Sequence, residues 1–171
     1  KMVLGITACL IVFGAVYFAC AEWENPDTLG SMPLWQPPLN ALFQSVTLRT
    51  AGYATFDQGK LLEGSAVMSI LLMLIGGSSG STAGGLKTVA VGVLLLALRD
   101  GLRGRDQVVF RGRRIPGRKV LDAMTLALTV LLLFLSVSML LSLMERVPYV
   151  QAAFVSASAM GTVGVTMGIT P

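Results

Sequence analysis

The sequence predicts an all-α membrane protein, built from repeated units of span, pore loop and span around a central pore, with one span broken by a Gly/Ser loop. Of its 171 residues, 54% are hydrophobic and 13% are charged, whereas about a quarter of the residues of a soluble domain are charged. Two uncharged runs, Met2–Ala21 and Ala123–Met144, are each long enough for a helix to cross roughly 30 Å of hydrocarbon. A span, a short helix and a Gly-containing stretch also occur twice in the same order.

The charges indicate how the spans are oriented. Eight basic residues and two acids lie between Arg99 and Lys119, whereas Glu22–Pro38 contains three acids and no base. The positive-inside rule therefore places residues 99–118 in the cytoplasm and the acidic segment outside the cell. The basic loop favours anionic lipid of the inner leaflet as its partner over nucleic acid, because a loop between two spans already explains its charge.

The chain divides into three parts. Residues 1–98 form one repeat, with a span, a short helix at Pro38–Leu48, a polar stretch and a long apolar run. Residues 99–118 are the cytoplasmic loop. Residues 119–171 begin a second repeat, with a span and a short helix at Pro148–Met160, but no returning span. Since the chain also begins with Lys1 rather than methionine, we expect it to be a piece of a longer polypeptide.

Two similar stretches follow the short helices and are the candidate cation filter. Leu48–Tyr53 aligns with Met160–Val165, and a one-residue shift is needed to align the preceding Phe43 and Phe154 as well. Non-helical backbone at membrane depth survives only where it is buried or lines water, and its carbonyls can replace the water shell of an ion. Neither stretch contains Asp or Glu. Since pores for divalent cations usually use rings of carboxylates, this favours a monovalent cation. The alternative is a helix C-cap followed by a turn. The candidate filter residues are Thr50, Ala51, Gly52, Tyr53, Thr162, Val163, Gly164 and Val165.

Arg49 directly precedes the first of these stretches. A guanidinium in the conduction path would repel cations. We therefore expect its side chain to lie behind the filter and to bond helix carbonyls; the alternative is an arginine on the outer surface.

The run Gly64–Leu98 is too long for one span, because a straight helix over it would measure about 52 Å. Its middle, Gly76–Gly85, has no large side chain, and each glycine disfavours a helix by roughly 1 kcal/mol. The sequence therefore predicts two half-helices and a gate between them, with Lys87 at the inner surface or the pore mouth. The alternative is a small-residue packing surface. The candidate gate residues are Gly76, Gly77, Ser78, Ser79, Gly80, Ser81, Thr82, Ala83, Gly84 and Gly85.

Two motifs in this run suggest enzymes, but we predict that the protein is not one. Gly77–Gly80 resembles the nucleophile motif of an intramembrane serine protease, whose chemistry needs a general base such as histidine, and the sequence has no histidine. Gly80–Thr88 resembles a phosphate-binding loop, but Leu86 interrupts the motif and no soluble strand precedes it.

Three motifs together resemble Ktr-type potassium transporters of the Ktr/Trk/HKT superfamily. They are LFQSVTLRTAGYATFD at 42–57, LLMLIGGSSGSTAGGLKT at 71–88 and ASAMGTVGVTMGITP at 157–171. The short loop with VVFRGRRIP at 108–116 favours the Ktr branch. The chain is similar to the third repeat and part of the fourth repeat of these proteins.

This resemblance implies channel-like potassium uptake, with K⁺ on the filter carbonyls and the Gly/Ser loop as the gate. The family's filter glycines correspond to Gly52 and Gly164. It also implies a homodimer in a bacterial plasma membrane, as a multi-pass protein, on a KtrA-like cytosolic ring that binds nucleotides, so no nucleotide is expected on this chain. The alternatives are a sodium-permeable or Na⁺-coupled relative, and a structural scaffold with helical backbone at Thr50–Gly52.

Overall fold

The computed structural model describes residues 2–30, 32–33, 35–49, 51–77, 84–104, 108–110 and 113–168. These residues are mostly helical, in agreement with the predicted class. Their α-helices are α1 (Met2–Ala21), α2 (Gln36–Thr47), α3 (Glu63–Leu74), α4 (Thr88–Leu102), α5 (Gly117–Glu145) and α6 (Tyr149–Met160), and a 3₁₀ turn lies at Gln58–Lys60.

The predicted all-α class is wrong in one detail. Strands β1 (Val109–Phe110) and β2 (Arg113–Arg114) form a small antiparallel ladder within the basic segment. Each strand has only two residues, which is too short for an alternating pattern of apolar and polar residues. The sequence periodicity therefore could not predict this ladder. Helices α4 and α5 also extend into this segment from either side, which shortens the loop between them.

Two of the helices are long and apolar enough to cross a membrane, among the residues that the structure describes. They are Val3–Ala21 within α1 and Gly117–Glu145, which is α5. In each, only 11% of the most apolar window is buried inside this chain. Large side chains such as Val12, Leu132 and Leu140 are more than half exposed. These faces are therefore apolar surfaces outside the core of the chain.

The core lies where α1, α2, α3 and α6 meet. Its largest fully buried apolar side chains are Phe18, Phe154, Leu29, Leu48 and Met73. The Ser45 hydroxyl of α2 donates to the Ile11 carbonyl of α1 at 2.8 Å. This packing orients the short helices α2 and α6, which carry the two loops described below.

The long apolar run is broken, as its composition predicts. Helix α3 ends at Leu74, and α4 begins at Thr88. The chain on either side of the break is bonded together, because Leu86 N–H donates to the Leu74 carbonyl at 2.8 Å and Thr88 N–H donates to the Gly77 carbonyl at 3.3 Å. We call the described residues of this break, 75–77 and 84–87, the interruption.

A buried carboxylate joins the C-terminal end of α1 to the start of α3. Glu22 is 0% exposed. It accepts hydrogen bonds from Asn25 Nδ2 at 2.6 Å, from Thr28 Oγ1 at 2.7 Å and from the backbone N–H of Leu62 at 3.1 Å. The pair Lys60–Asp27 nearby is exposed, and such a pair adds little stability. Glu22 is therefore a polar link between the turn after α1 and the start of α3.

Candidate functional site

The first loop follows α2 and runs to Tyr53. It is hydrogen-bonded back to Thr47, the last residue of that helix. The Thr47 carbonyl accepts from the backbone N–H groups of Ala51 and Gly52 at 3.1 and 3.3 Å. Its hydroxyl accepts from Tyr53 N–H at 2.9 Å and donates to the Tyr53 carbonyl at 2.6 Å. Residues 51–54 are not helical. The loop is therefore fixed at both ends by one threonine.

The second loop leaves α6 and is tied in a similar way to Ser158. The Ser158 carbonyl accepts from Val163 N–H at 2.9 Å, and its hydroxyl accepts from Val165 N–H at 2.9 Å. The hydroxyl and the backbone N–H that it accepts from are seven residues apart in this loop, and six residues apart in the first loop. With Leu48–Tyr53 aligned to Met160–Val165, the additional residue lies between Ser158 and Met160. This difference is a physical counterpart of the one-residue shift between the two sequence stretches.

The second loop continues as non-helical chain to residue 168. Its buried side chains, Val163, Val165 and Met167, alternate with exposed positions, although Thr162 and Gly164 have left-handed φ values. Its exposed positions therefore share one side of the segment, opposite the side that packs on the core.

The two loops meet at Gly52. A Cβ built on Gly52 would overlap the Val163 carbonyl oxygen, and the Gly52 φ is 76°. Only glycine meets both requirements without cost. Gly164 has a φ of 86°, but no described residue lies within 4 Å of a Cβ placed there. The first glycine is therefore packed against the other loop, whereas the second borders open space.

The interruption lies against the second loop. Gly84 N–H donates to Thr162 Oγ1 at 3.1 Å. A Cβ on Gly84 would overlap the Met160 carbonyl, and a Cβ on Gly161 would lie 2.7 Å from the Met73 carbonyl. The ends of α3 and α6 therefore converge, and part of the predicted gate contacts part of the predicted filter.

Arg49 bonds backbone carbonyls, as one of the two sequence hypotheses expects. Its guanidinium donates to the Thr7 carbonyl of α1 at 3.2 Å and to the Gly76 carbonyl at 3.4 Å. Its Nε is buried without a partner. The hypothesis that Arg49 bonds helix carbonyls is confirmed for Thr7, and the arginine is half-buried rather than exposed.

Polar residues that the sequence analysis did not single out also support the first loop. Gln44 on α2 and Gln58 beyond the loop are both buried, and their side-chain amides bond each other at 2.5 and 3.4 Å. Thr47 and Ser158 could have been found, because hydroxyl residues near a helix end often bond the backbone that follows. The glutamine pair could not, since it depends on how the chain returns.

The predicted site residues are only partly within the described structure. Thr50 of the filter stretch and Ser78–Ala83 of the gate stretch lie outside the described residues. Gly52 and Val163 come together, and so do Thr162 and Gly84. The Tyr53 carbonyl accepts from Thr47, so Tyr53 helps to hold the loop. In the described part of the chain, no group of three His, Cys, Asp or Glu side chains could hold a metal.

Thr47→Val is expected to loosen the first loop, because valine keeps the shape of threonine but cannot accept from Tyr53 N–H. The loss of this bond should speed hydrogen exchange of the backbone amides in residues 51–56 by about tenfold, measured by mass spectrometry on the full-length protein. Thr47→Ser keeps the hydroxyl and should exchange at nearly the original rate. Equal protection in Thr47→Val and the unaltered protein would show that the hydroxyl does not hold the loop.

The fold defines a class of helical membrane protein with two short helices, each followed by a non-helical loop. The crystal structure of the potassium transporter TrkH from Vibrio parahaemolyticus has this fold, with a TM-score of 0.74 and 21% identity over 98% of this chain and 38% of that chain. The family described as TrkH, cation transport protein, matches residues 2–171. The chain belongs to this family.

Individual relatives support the same assignment. The potassium/sodium uptake protein NtpJ of Enterococcus hirae is 39% identical over 175 residues, covering 100% of this chain and 39% of that protein. The Ktr system potassium uptake protein B of Bacillus subtilis is 36% identical over 171 residues, covering 100% of this chain and 38% of that protein. The chain therefore spans about two fifths of the length of these relatives.

Proposed function

We propose that this chain forms part of a potassium-uptake pore, in which backbone carbonyls of residues 50–53 and 162–165 replace the water around K⁺. The contact between Gly52 and the Val163 carbonyl carries the proposal. It brings the two loops together, each at the C-terminus of a short helix, whose partial negative charge favours a cation.

The hydrogen bonds of the two loops support carbonyls as the ion ligands. The N–H groups of Ala51, Gly52 and Tyr53 donate back to Thr47, and those of Val163 and Val165 donate back to Ser158. Since these donors are directed at the helix ends, the carbonyl groups are the polar groups that each loop offers to a cation, apart from that of Tyr53, which already accepts from the Thr47 hydroxyl. A scaffold without a pore would favour helical backbone here, which residues 51–54 do not have.

The Gly/Ser segment, residues 76–85, would act as the gate. Its described ends, Gly76 and Gly84, lie against each other and next to the second loop. A segment of small residues at this place can narrow or open the path with small changes in backbone angles. The polar backbone of this break needs a water-lined or buried setting, which supports a place beside the conduction path.

A second candidate is a sodium-permeable or Na⁺-coupled transporter. The relative from Enterococcus hirae is named a potassium/sodium uptake protein, whereas that from Bacillus subtilis is named a potassium uptake protein of a Ktr system. Glycine at both filter positions, Gly52 and Gly164, favours potassium.

The proposed setting is a multi-pass protein of a bacterial plasma membrane that pairs as a homodimer. A cytosolic KtrA-like ring would bind the regulatory nucleotide, rather than this chain. Relatives named as proteins of a Ktr system support such an assembly.

Gly164→Ser tests the proposed pore. Gly164 has a left-handed φ, so serine would strain this loop and shift its carbonyls. In a bacterium that lacks other potassium uptake, we expect the full-length protein to restore growth at low K⁺. We expect the variant to need about tenfold more K⁺ or to admit Na⁺, for a loss of about 1.4 kcal/mol.

Serine at Gly5, which is in α1 and has no described neighbour within 4 Å of its Cβ position, is a matched control. It should grow like the unaltered protein. If the unaltered protein does not restore growth at all, potassium uptake is the wrong function. If it does and Gly164→Ser behaves identically in K⁺ and Na⁺ flux, Gly164 is outside the conduction path.

A further inference from the structure

The two ends of the interruption are each bonded to a different pore loop. At one end, the Arg49 guanidinium, which follows α2, donates to the Gly76 carbonyl at 3.4 Å. At the other end, Gly84 N–H donates to Thr162 Oγ1 at 3.1 Å. Gly76 also lies directly against the Gly84 carbonyl. The interruption is therefore a shared contact between loops that come from separate repeats of the sequence.

The contact on the second loop is closely fitted. The Thr162 hydroxyl donates to the Gly161 carbonyl at 2.7 Å and accepts from Gly84, so the donor and the acceptor of this side chain are both used. A Cβ on Gly84 would overlap the Met160 carbonyl. A shift of Gly84 relative to α6 must therefore either break the hydrogen bond or move Thr162, whose carbonyl belongs to the proposed filter.

The contact between Arg49 and the Gly76 carbonyl requires the guanidinium to be partly removed from water. Arg49 is half-buried, its Nε has no partner, and its two other nitrogens bond carbonyls of α1 and of the interruption. A buried donor without a partner is unfavourable. Arginine can span the two carbonyls because its donors form a rigid planar fork, whereas lysine presents a single ammonium on a flexible stem.

We propose that Arg49 and Thr162 are positioning residues, which set the spacing between the interruption and the two loops and so determine how well the pore separates K⁺ from Na⁺. This inference rests on the proposed function. In the snug-fit account of ion selectivity, carbonyls that are held at the spacing suited to K⁺ discriminate against Na⁺. Loss of either hydrogen bond would let one loop relax, so that the smaller Na⁺ is accommodated better.

The test is the ratio of K⁺ flux to Na⁺ flux in proteoliposomes that contain the full-length protein. Arg49→Gln and Thr162→Val each remove one of the two bonds, and each should lower the ratio about five- to tenfold. Arg49→Lys keeps the charge but cannot reach both carbonyls. It should show a similar loss, and it tests the idea if Arg49→Gln does not fold. Thr162→Ser keeps the hydroxyl and should restore most of the ratio.

Ser136→Ala is the matched control, since it removes an exposed hydroxyl that bonds only within α5. If the unaltered protein carries no K⁺, the proposed function has failed. If it separates K⁺ from Na⁺, and Arg49→Lys and Thr162→Val keep that ratio with only less protein recovered, both residues are merely structural and the inference is overturned. Loss of the ratio in these variants, but not in Ser136→Ala, supports it.

Discussion

Gly52→Ala is expected to abolish potassium-dependent growth. Gly52 has a left-handed φ of 76°, which costs alanine about 1–2 kcal/mol. The new methyl group would also overlap the Val163 carbonyl oxygen, and overpacking of this kind typically costs about 1–3 kcal/mol. Because the overlap is with backbone of the second loop, no side chain can rotate away. Both loops would have to move, so we expect loss of function beyond the effect of strain alone.

Gly104→Ala separates strain from overlap. Gly104 has a φ of 66°, but it follows α4 and no described residue lies within 4 Å of its Cβ position. It should therefore lower the amount of folded protein slightly and leave growth at low K⁺ intact. Growth and the amount of protein in the membrane are measured together. If Gly52→Ala grows as well as Gly104→Ala, the two loops do not touch as described, and the proposed filter loses its main support.

The helices were predictable because their causes are local. Proline is favoured in the first turn of a helix, and Pro37 and Pro38 lie in the first turn of α2, which begins at Gln36. Composition also predicted the break in the long apolar run, since glycines disfavour helix wherever they lie. The bounds differ by a few residues, because helix ends depend on hydrogen bonds that the sequence pattern does not contain.

The contacts between the loops were less predictable. That Gly52 meets Val163, and that Gly84 meets Thr162, depends on how α2, α3 and α6 pack together. These pairs are far apart in the sequence, so no local pattern contains them. The sequence did contain one trace of the geometry, the one-residue shift between the two stretches. Its physical counterpart became visible only in the hydrogen bonds of Thr47 and Ser158, whose hydroxyls reach six and seven residues along the chain.

Arg49 and Glu22 show how charges in an apolar chain can be interpreted. For Arg49 the sequence left two hypotheses open, and the bonds to Thr7 and Gly76 decide between them. For Glu22 the acidic outer segment indicated orientation only. Its burial is a tertiary effect, because a donor from Leu62 must arrive before the carboxylate is enclosed. Buried carboxylates of this kind have no sequence signature of their own.

Glu22→Ala is expected to destabilise the protein strongly. The carboxylate is 0% exposed and accepts from Asn25, Thr28 and the N–H of Leu62, which precedes α3. Hydrogen bonds to a charged group are worth more than neutral ones, and donors left buried without a partner add their desolvation cost. We expect the stability of the folded protein to fall by an amount on the order of 3 kcal/mol. The measurement is the midpoint temperature at which full-length protein in detergent ceases to be monodisperse, and it should be lower in the variant.

Glu24→Ala is the matched control, because Glu24 has the same side chain two positions further on and is exposed. Its midpoint should stay close to that of the unaltered protein. Glu22→Gln should fall between the two, since the amide keeps one acceptor oxygen but turns an N–H₂ group toward a donor. The order Glu24→Ala, Glu22→Gln, Glu22→Ala in falling stability follows from hydrogen bonding alone. Equal midpoints for Glu22→Ala and Glu24→Ala would mean that the turn after α1 is held by apolar packing around Phe18 and Leu29 rather than by the carboxylate.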